Sequence, residues 1–267
     1  MTLFLSLRKA SLERRREVEK IDLVYPVSTI ERRKLLHYSL RTVRKFGLGV
    51  GRIYLVGGRE WRKWESKGVK FIHFPDLFAN WYLNTALKVW VATLQEEISD
   101  PFLYMNDDFF LTRTVYLPEF PVYHEGDLRE KLKNPFHDGR YKATIRRTIE
   151  FLKNMKSTTL SYELHYPLPI YKKIFREVME RVREVWAVPD LEKGVLWRSL
   201  YGNLAGLGGV RWEDGKIYAG HAPQAVHRLL RKHWVVSSEP QPHPELLRSL
   251  RRLLMKEKLQ EMTEQDA

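Results

Sequence analysis

Residues 100–111 read Asp-Pro-Phe-Leu-Tyr-Met-Asn-Asp-Asp-Phe-Phe-Leu and set hard oxygen donors directly behind a short apolar run. Asn106, Asp107 and Asp108 offer one amide and two carboxylates in succession, a donor set that suits Mg²⁺ or Mn²⁺ rather than a soft metal. The apolar run 102–105 is too short for a helix and follows Asp-Pro, so it reads as a strand buried on both faces. Donors that leave such a strand at its carboxyl end stand where open α/β sheets bind their ligands. The same three residues also suit an Asn-Asp turn that caps the next element.

The elements needed to hold that strand precede it. Residues 21–27 and 52–56 are apolar, β-prone runs, the first ended by Pro26 and Ser28 and the second by Gly57-Gly58. Between them, 31–46 sets Leu36, Leu40 and Val43 on one helical face and basic residues on the rest. A third strand over 69–74 and a second helix over 84–97 complete a strand-helix alternation, which predicts a mostly parallel sheet with helices on both faces.

After Leu111 the pattern loosens around Pro118, Pro121 and Pro135. Helices are expected over 141–155 and 170–185, a glycine-bearing stretch over 201–209, and a short strand over 216–218 behind an Asp214-Gly215 turn. Residues 244–261 place Leu246, Leu250, Leu253 and Leu254 on one stripe among Arg and Lys, predicting a basic amphipathic helix that docks by its apolar side. The expected organisation is a helical N-terminal extension over 1–20, one α/β domain over 21–240, and a C-terminal helix over 241–267.

There is no cysteine, which excludes disulfides, thiolate metal sites and a cysteine nucleophile, and fits a reducing cytoplasm. The apolar start is too short for a secretory segment and no later run spans a bilayer, so a soluble cytoplasmic protein without integral membrane association is expected. Lys and Arg total 46 against 33 Asp and Glu, a net charge of +13. Such a field attracts a polyanion, nucleic acid included. A surface rich in Arg and Glu, of the kind found in heat-stable proteins, gives the same composition.

Several segments together resemble a known family. Tyr25-Pro26-Val27, the helix 35–43, Ile53-Tyr54-Leu55-Val56 and Met105-Asn106-Asp107-Asp108-Phe109-Phe110 occur in the order found in Stealth-type sugar-phosphate transferases. The chain more closely resembles glycosyltransferase-like proteins of tailed phages, through Ser161-Tyr162-Glu163-Leu164-His165-Tyr166-Pro167, through 198–204, and through Val235-Val236-Ser237-Ser238-Glu239. The likeness runs from about 22 to 239. Two places depart from it: Pro26-Val27-Ser28-Thr29 stands where Stealth-type enzymes carry Trp-Val-Asp-Gly, and Glu239 stands where Asp is usual.

The resemblance implies a GT-A-like nucleotide-sugar fold and a metal-dependent glycosyltransferase, with Mn²⁺ or Mg²⁺ as cofactor and a UDP-sugar as donor. It places Asp108 as metal ligand, Asn106 in the first position of an Asp-x-Asp-like element, and Asp107 either on the sugar or turned back into the fold as a cap. His165 is implied as metal ligand or as base on the acceptor hydroxyl. Arg198 matches phosphate oxygens by its guanidinium, or else serves as a structural ion-pair partner. Tyr25, Pro26 and Val27 are expected to wall the nucleotide base, Arg41 or Lys88 to lie near phosphate, and Asn84 to reach sugar or ribose. Tyr201 and Asn203 support their loop, and His221 and His227 are structural or acceptor-side residues. The sharpest acceptor is a hydroxymethylated pyrimidine in phage DNA, modified in the host cytoplasm. The alternatives are sugar or sugar-1-phosphate transfer to a glycan or protein, and a nucleic-acid-binding protein without catalysis.

Overall fold

The computed structural model describes residues 20–28, 33–135 and 137–265, with side chains described as far as residue 255 except that of Arg33. The expected N-terminal extension lies, but for Lys20, outside the described residues.

Strand β1 (Ile21–Pro26) is followed by helix α1 (Arg33–Phe46), a short β2 (Gly47–Leu48), β3 (Val50–Gly57), a 3-10 segment (Arg59–Lys67) and β4 (Lys70–His73). Helix α2 (Trp81–Thr93) then leads to β5 (Phe102–Tyr104). After β6 (Phe110–Leu111), β7 (Val115–Tyr116) and β8 (Tyr123–His124), helices α3 (Leu128–Leu132) and α4 (Gly139–Asn154) precede β9 (Leu168–Ile170). The central sheet has the order β4-β3-β1-β5-β9. Its first four strands are parallel, with Leu23 opposite both Ile53 and Leu103, and β9 closes the edge antiparallel to β5. The fold is therefore the α/β class expected, with a mostly parallel sheet.

Alternation along the strands sends side chains into two cores, one on each face. Val24, Tyr54, Val56 and Tyr104 pack with α2, α4 and the helices after β9. Leu23, Tyr25, Leu55 and Leu103 pack with α1 and with Trp61 and Trp64 of the 3-10 segment. Burial on both sides explains why these strands read as unbroken apolar runs. From β1 the chain builds outward to β3 and β4 on one side, and reaches β5 on the other. The carboxyl ends of β1 and β5 thus flank the point where strand order reverses, the place where such sheets open a crevice.

Beyond β9 come α5 (Lys172–Arg181), α6 (Arg183–Trp186), α7 (Trp197–Leu204), β10 (Val210–Arg211), β11 (Lys216–Ile217), α8 (Pro223–Lys232), β12 (Val235–Ser238) and α9 (Pro244–Gln265). Strands β11, β12 and β6 form a second, small sheet in which Val235 faces Leu111 and Ser237 faces Lys216. Helices α1, α8 and α9 cover it through Leu35, Val226, Leu246, Leu250 and Leu254. The apolar stripe of the C-terminal helix docks as expected, with Leu253 at its partly exposed margin.

Three expectations change. The second helix begins at Trp81 rather than 84, because Asn80 caps it by accepting from Tyr82 N at 3.1 Å and Leu83 N at 3.3 Å. The helix expected over 170–185 loses its start to β9, where Pro169 is tolerated on an edge strand, and it breaks at Val182. The glycine-bearing stretch contains the end of helix α7, and Gly202 lies inside it because a Cβ there would stand 2.4 Å from the Tyr162 ring. Among the described residues no helix is long and apolar enough to cross a membrane.

Asn80 also donates to Val188 O at 2.8 Å, tying the start of α2 to the loop after α6. Asn80→Ala removes the cap and leaves that part-buried carbonyl without its donor. Urea unfolding should show a loss of about 1–3 kcal/mol, against a change within error at the exposed neighbour Trp81→Ala.

Candidate functional site

Asn106, Asp107 and Asp108 emerge from β5 at the crevice between the carboxyl ends of β1 and β5. Phe109 N donates to Asn106 O at 3.2 Å, so the three residues do form a tight turn, one that hands the chain from the central sheet to β6. Asp107 is half-buried and Asp108 buried. Asp108 Oδ2 accepts from Ser237 Oγ at 2.9 Å, whereas its Oδ1 is buried without a hydrogen-bond partner. A carboxylate oxygen in that condition is costly unless something else meets it.

Around this turn the structure gathers a ring of polar groups. Tyr104 donates to Asn106 Oδ1, and the Arg198 guanidinium lies 5.3 Å from the centre of the Tyr104 ring. Arg198 is buried and donates through one amino group to Tyr166 O at 3.0 Å, while its Nε–H has no partner. Burial pushes the Tyr104 phenol well above its ordinary range; Asp108, Glu163 and Asp107 push it further, and Arg198 opposes them. Three carboxylates and one guanidinium thus act on a single phenol.

His165 is clipped beside them. Its backbone N donates to Asp214 Oδ1 at 3.0 Å, and its Nδ1 meets Asp214 Oδ2 at 2.7 Å. Burial works against the charge on Asp214, but the imidazole and the two contacts with His165 outweigh it and hold the carboxyl well below the usual range. The neighbouring Glu163 accepts from Ser199 N at 3.1 Å and Ser199 Oγ at 2.8 Å, joining this segment to the start of α7. Asp214 also precedes Gly215, whose carbonyl accepts from Ser237 N at 3.2 Å. The His165 clip and the Asp108 contact thus share the Ser237 strand.

The nucleotide-side expectations separate. Tyr25 and Val27 are fully buried, so of the proposed wall only Pro26 reaches the surface. Tyr25 lies under the site instead: its hydroxyl meets Ser39 Oγ at 3.2 Å, and burial pushes its phenol up with Asp107 adding to the effect. Lys88 is buried at the end of β1, donating to Val27 O at 2.6 Å and pairing with Asp76. Burial pushes its ammonium down from the ordinary value, while Asp76, Glu60 and Asp107 hold it up. Asn84 is committed elsewhere, its amide accepting from Leu77 N and Phe78 N and donating to Phe78 O at 2.7 Å. That engagement leaves it a loop clamp rather than a sugar contact. Arg41 stands on the exposed side of α1 with His37 and Arg44, facing Lys67 of the 3-10 segment.

Other expected supports behave as such. Asn203 joins α7 to Leu160 through both ends of its amide, and Tyr201 accepts from Tyr171 N at 3.0 Å. His227 pairs with buried Glu245 at 3.2 Å, the His221 carbonyl meets His243, and Glu239 accepts from Ala219 N at 2.9 Å. Asp214 and Ser237 are contributors the sequence did not single out.

Among the described residues no three of His, Cys, Asp and Glu converge as a ready metal centre. A concavity of about 660 Å³ opens at the opposite, amino-terminal edge of the sheet beside Asp22, Arg52, Asp100 and Lys172. Its innermost charged groups are satisfied: Asp22 accepts from Arg52 N at 2.6 Å and Ser99 N at 2.9 Å, and Lys172 donates to Gln95 O and Ile98 O. Among the described residues, the buried side-chain atoms without partners, Asp108 Oδ1, Arg198 Nε and His233 Nε2, lie toward the other edge. We therefore place the site there.

No family model matches the sequence, and no curated protein does. Among solved structures the chain is similar to the galactosyltransferase LgtC, crystallised in complex with donor and acceptor sugar analogs. The likeness covers 88% of this chain and 95% of that chain, at 11% identity and a TM-score of 0.44. That level of likeness carries no functional argument, which rests on the site itself.

If Asp108 is held against its own solvation, a neutral isostere should relieve it. Asp108→Asn is expected to raise stability by about 1 kcal/mol, a shift of a few degrees in thermal unfolding. A fall in the unfolding midpoint would mark Asp108 as a compensated structural group.

Proposed function

We propose that this chain is a glycosyltransferase that moves a sugar from a nucleotide sugar to an acceptor hydroxyl at the crevice between β1 and β5. One observation carries the reading: a buried carboxylate oxygen of Asp108, without a partner, at the strand-order switch point of an α/β sheet. The donor class is supported by the resemblance of 22–239 to nucleotide-sugar-dependent families, with 21–240 as the catalytic unit.

The residues present fit a divalent ion, because Mg²⁺ and Mn²⁺ are commonly held by one or two protein groups with substrate phosphates and water completing the shell. Asp108 and Asn106 would hold it, and it would supply charge neutralisation at the departing diphosphate. Arg198 offers its unpartnered Nε–H to the same negative charge. Pro26 bounds the nucleotide side, and Lys88 fixes the end of β1 from beneath through Val27 O. Asp107 stands between these two groups, in the electrostatic reach of both Lys88 and Tyr104. His165 takes the proton of the acceptor hydroxyl.

For the acceptor we propose a hydroxyl carried on a polyanion, with hydroxymethylated pyrimidines in DNA as the specific form. The support is the net charge of +13 and the exposed cations of the helices over the small sheet, including Lys34, Arg41, Arg228 and Arg231. An extruded base would present its hydroxyl while these helices track phosphates.

The test is incubation with Mn²⁺, a panel of nucleotide sugars led by UDP-sugars, and DNA containing hydroxymethylated pyrimidines, with glycans and proteins as parallel acceptors. Labelled DNA with matched nucleotide release is expected, reduced roughly 100-fold or more in Asp108→Ala. Turnover untouched by that substitution would refute the site. Label on glycan or protein would replace the acceptor, and salt-sensitive DNA binding without any turnover would replace the enzyme reading by a binding one.

A further inference from the structure

Asp214 has no part in the reading so far beyond its contact with His165, and that contact is unusual in form. One carboxylate clasps both the backbone and the ring of the same residue, through His165 N at 3.0 Å and Nδ1 at 2.7 Å. The backbone contact fixes which oxygen is left over. Oδ1 is taken by the amide N–H, so Oδ2 alone faces the imidazole. An ionised carboxylate has only acceptors, so the ring nitrogen facing it must carry the proton. The neutral ring then has its proton on Nδ1 and its lone pair on Nε2. The His165 side chain is 25% exposed, and no protein group is bonded to it besides Asp214 among the described residues.

We infer that Asp214 is the positioning residue that sets the His165 tautomer, so that Nε2 serves as the base for the acceptor hydroxyl. This rests on the transferase reading above. As the acceptor oxygen attacks the sugar carbon, its proton passes to Nε2 and its electron pair forms the new bond. The bond from that carbon to the nucleoside diphosphate breaks, and the diphosphate leaves with the bonding pair. The imidazolium formed is stabilised by Asp214, which stays ionised throughout. The carboxylate also holds the ring in the plane of its own contact, so the base does not have to be found among rotamers during the reaction.

The discriminating variant is Asp214→Asn. Its amide oxygen still accepts from His165 N, which turns the amide nitrogen toward Nδ1. An N–H there forces the proton of the ring onto Nε2, the wrong nitrogen for a base. Nitrogen-15 NMR of the full-length protein should find Nδ1–H in the wild type and Nε2–H in D214N. Turnover should fall by about 10³ to 10⁴ in kcat, the size seen when the same change inverts a serine-protease histidine. Donor KM should hold, D214E should restore part of the rate, and raised Mn²⁺ should restore none.

An Nε2–H wild-type ring overturns the inference, and this measurement needs no variant to fold. An unchanged kcat in D214N overturns it as well. Recovery with Mn²⁺ also overturns it, because His165 would then be a ligand. A wild type with Nδ1–H that turns over no donor refutes the transferase reading and the base role with it. Control of the tautomer by Asp214 is in that case still decided by the D214N spectrum.

Discussion

The contact between Asp108 and Ser237 joins the turn after the central sheet to the small sheet of β11, β12 and β6, and the proposed site depends on it. The two residues are 129 positions apart, one leaving the central sheet and the other in β12. Without β12 and its covering helices, the turn after β5 would be an exposed acidic loop, solvated and unremarkable in its energetics. With them, a carboxylate is drawn into a dry junction and given one donor where it has room for more. The small sheet matters for that reason: it buries Asp108 and leaves one of its oxygens without a hydrogen-bond partner.

The surrounding charges follow from that burial. Two cations, Lys88 and Arg198, are also buried, one at the end of β1 and the other beside Tyr104. Each is held partly by a backbone carbonyl, Val27 O for Lys88 and Tyr166 O for Arg198. Lys88 also pairs with Asp76 and is held up by Asp107, while Arg198 acts on Tyr104 against Asp108 and Glu163. A buried cluster of this kind is weak evidence for stability, since desolvation offsets attraction. It is better explained as a preset field, in which new negative charge can be accepted without rearrangement.

How far the sequence discloses this arrangement depends on how local each signal is. The parallel strands were legible because burial on both faces writes itself as an apolar run, and the C-terminal helix because Leu246, Leu250 and Leu254 keep helical spacing. Asn106 to Asp108 were legible as donors behind a strand. Strand β9 was not, since Pro169 argues against a strand unless the edge is known to be free. Helix α7 hid behind Gly202, whose purpose is the approach of the Tyr162 ring. Asn84 had the right helical position to face the ligand and was claimed by a loop only six and seven residues before it. In the sequence Asp214 reads only as half of a turn, because its partner His165 lies 49 positions away and no spacing rule links them.

The two kinds of charge in this protein also differ in what they can recognise. Exposed cations on α1, α8 and α9 sit in high dielectric, where their effect is long-ranged at low salt and largely indifferent to the identity of the polyanion. The groups at the crevice are mostly carboxylates, with Asp107, Asp108, Glu163 and Asp214 drawn around Tyr104 and His165. On the acceptor side, beside His165 and Asp214, a hydroxyl would find acceptors, while the cations Lys88 and Arg198 serve the donor diphosphate. Both features fit a single acceptor if its phosphates remain on the outer helices and only an uncharged, hydroxyl-bearing group enters the crevice. The separation between them then sets how far that group must extend from its backbone, and a base turned out of a duplex extends further than one left in the stack.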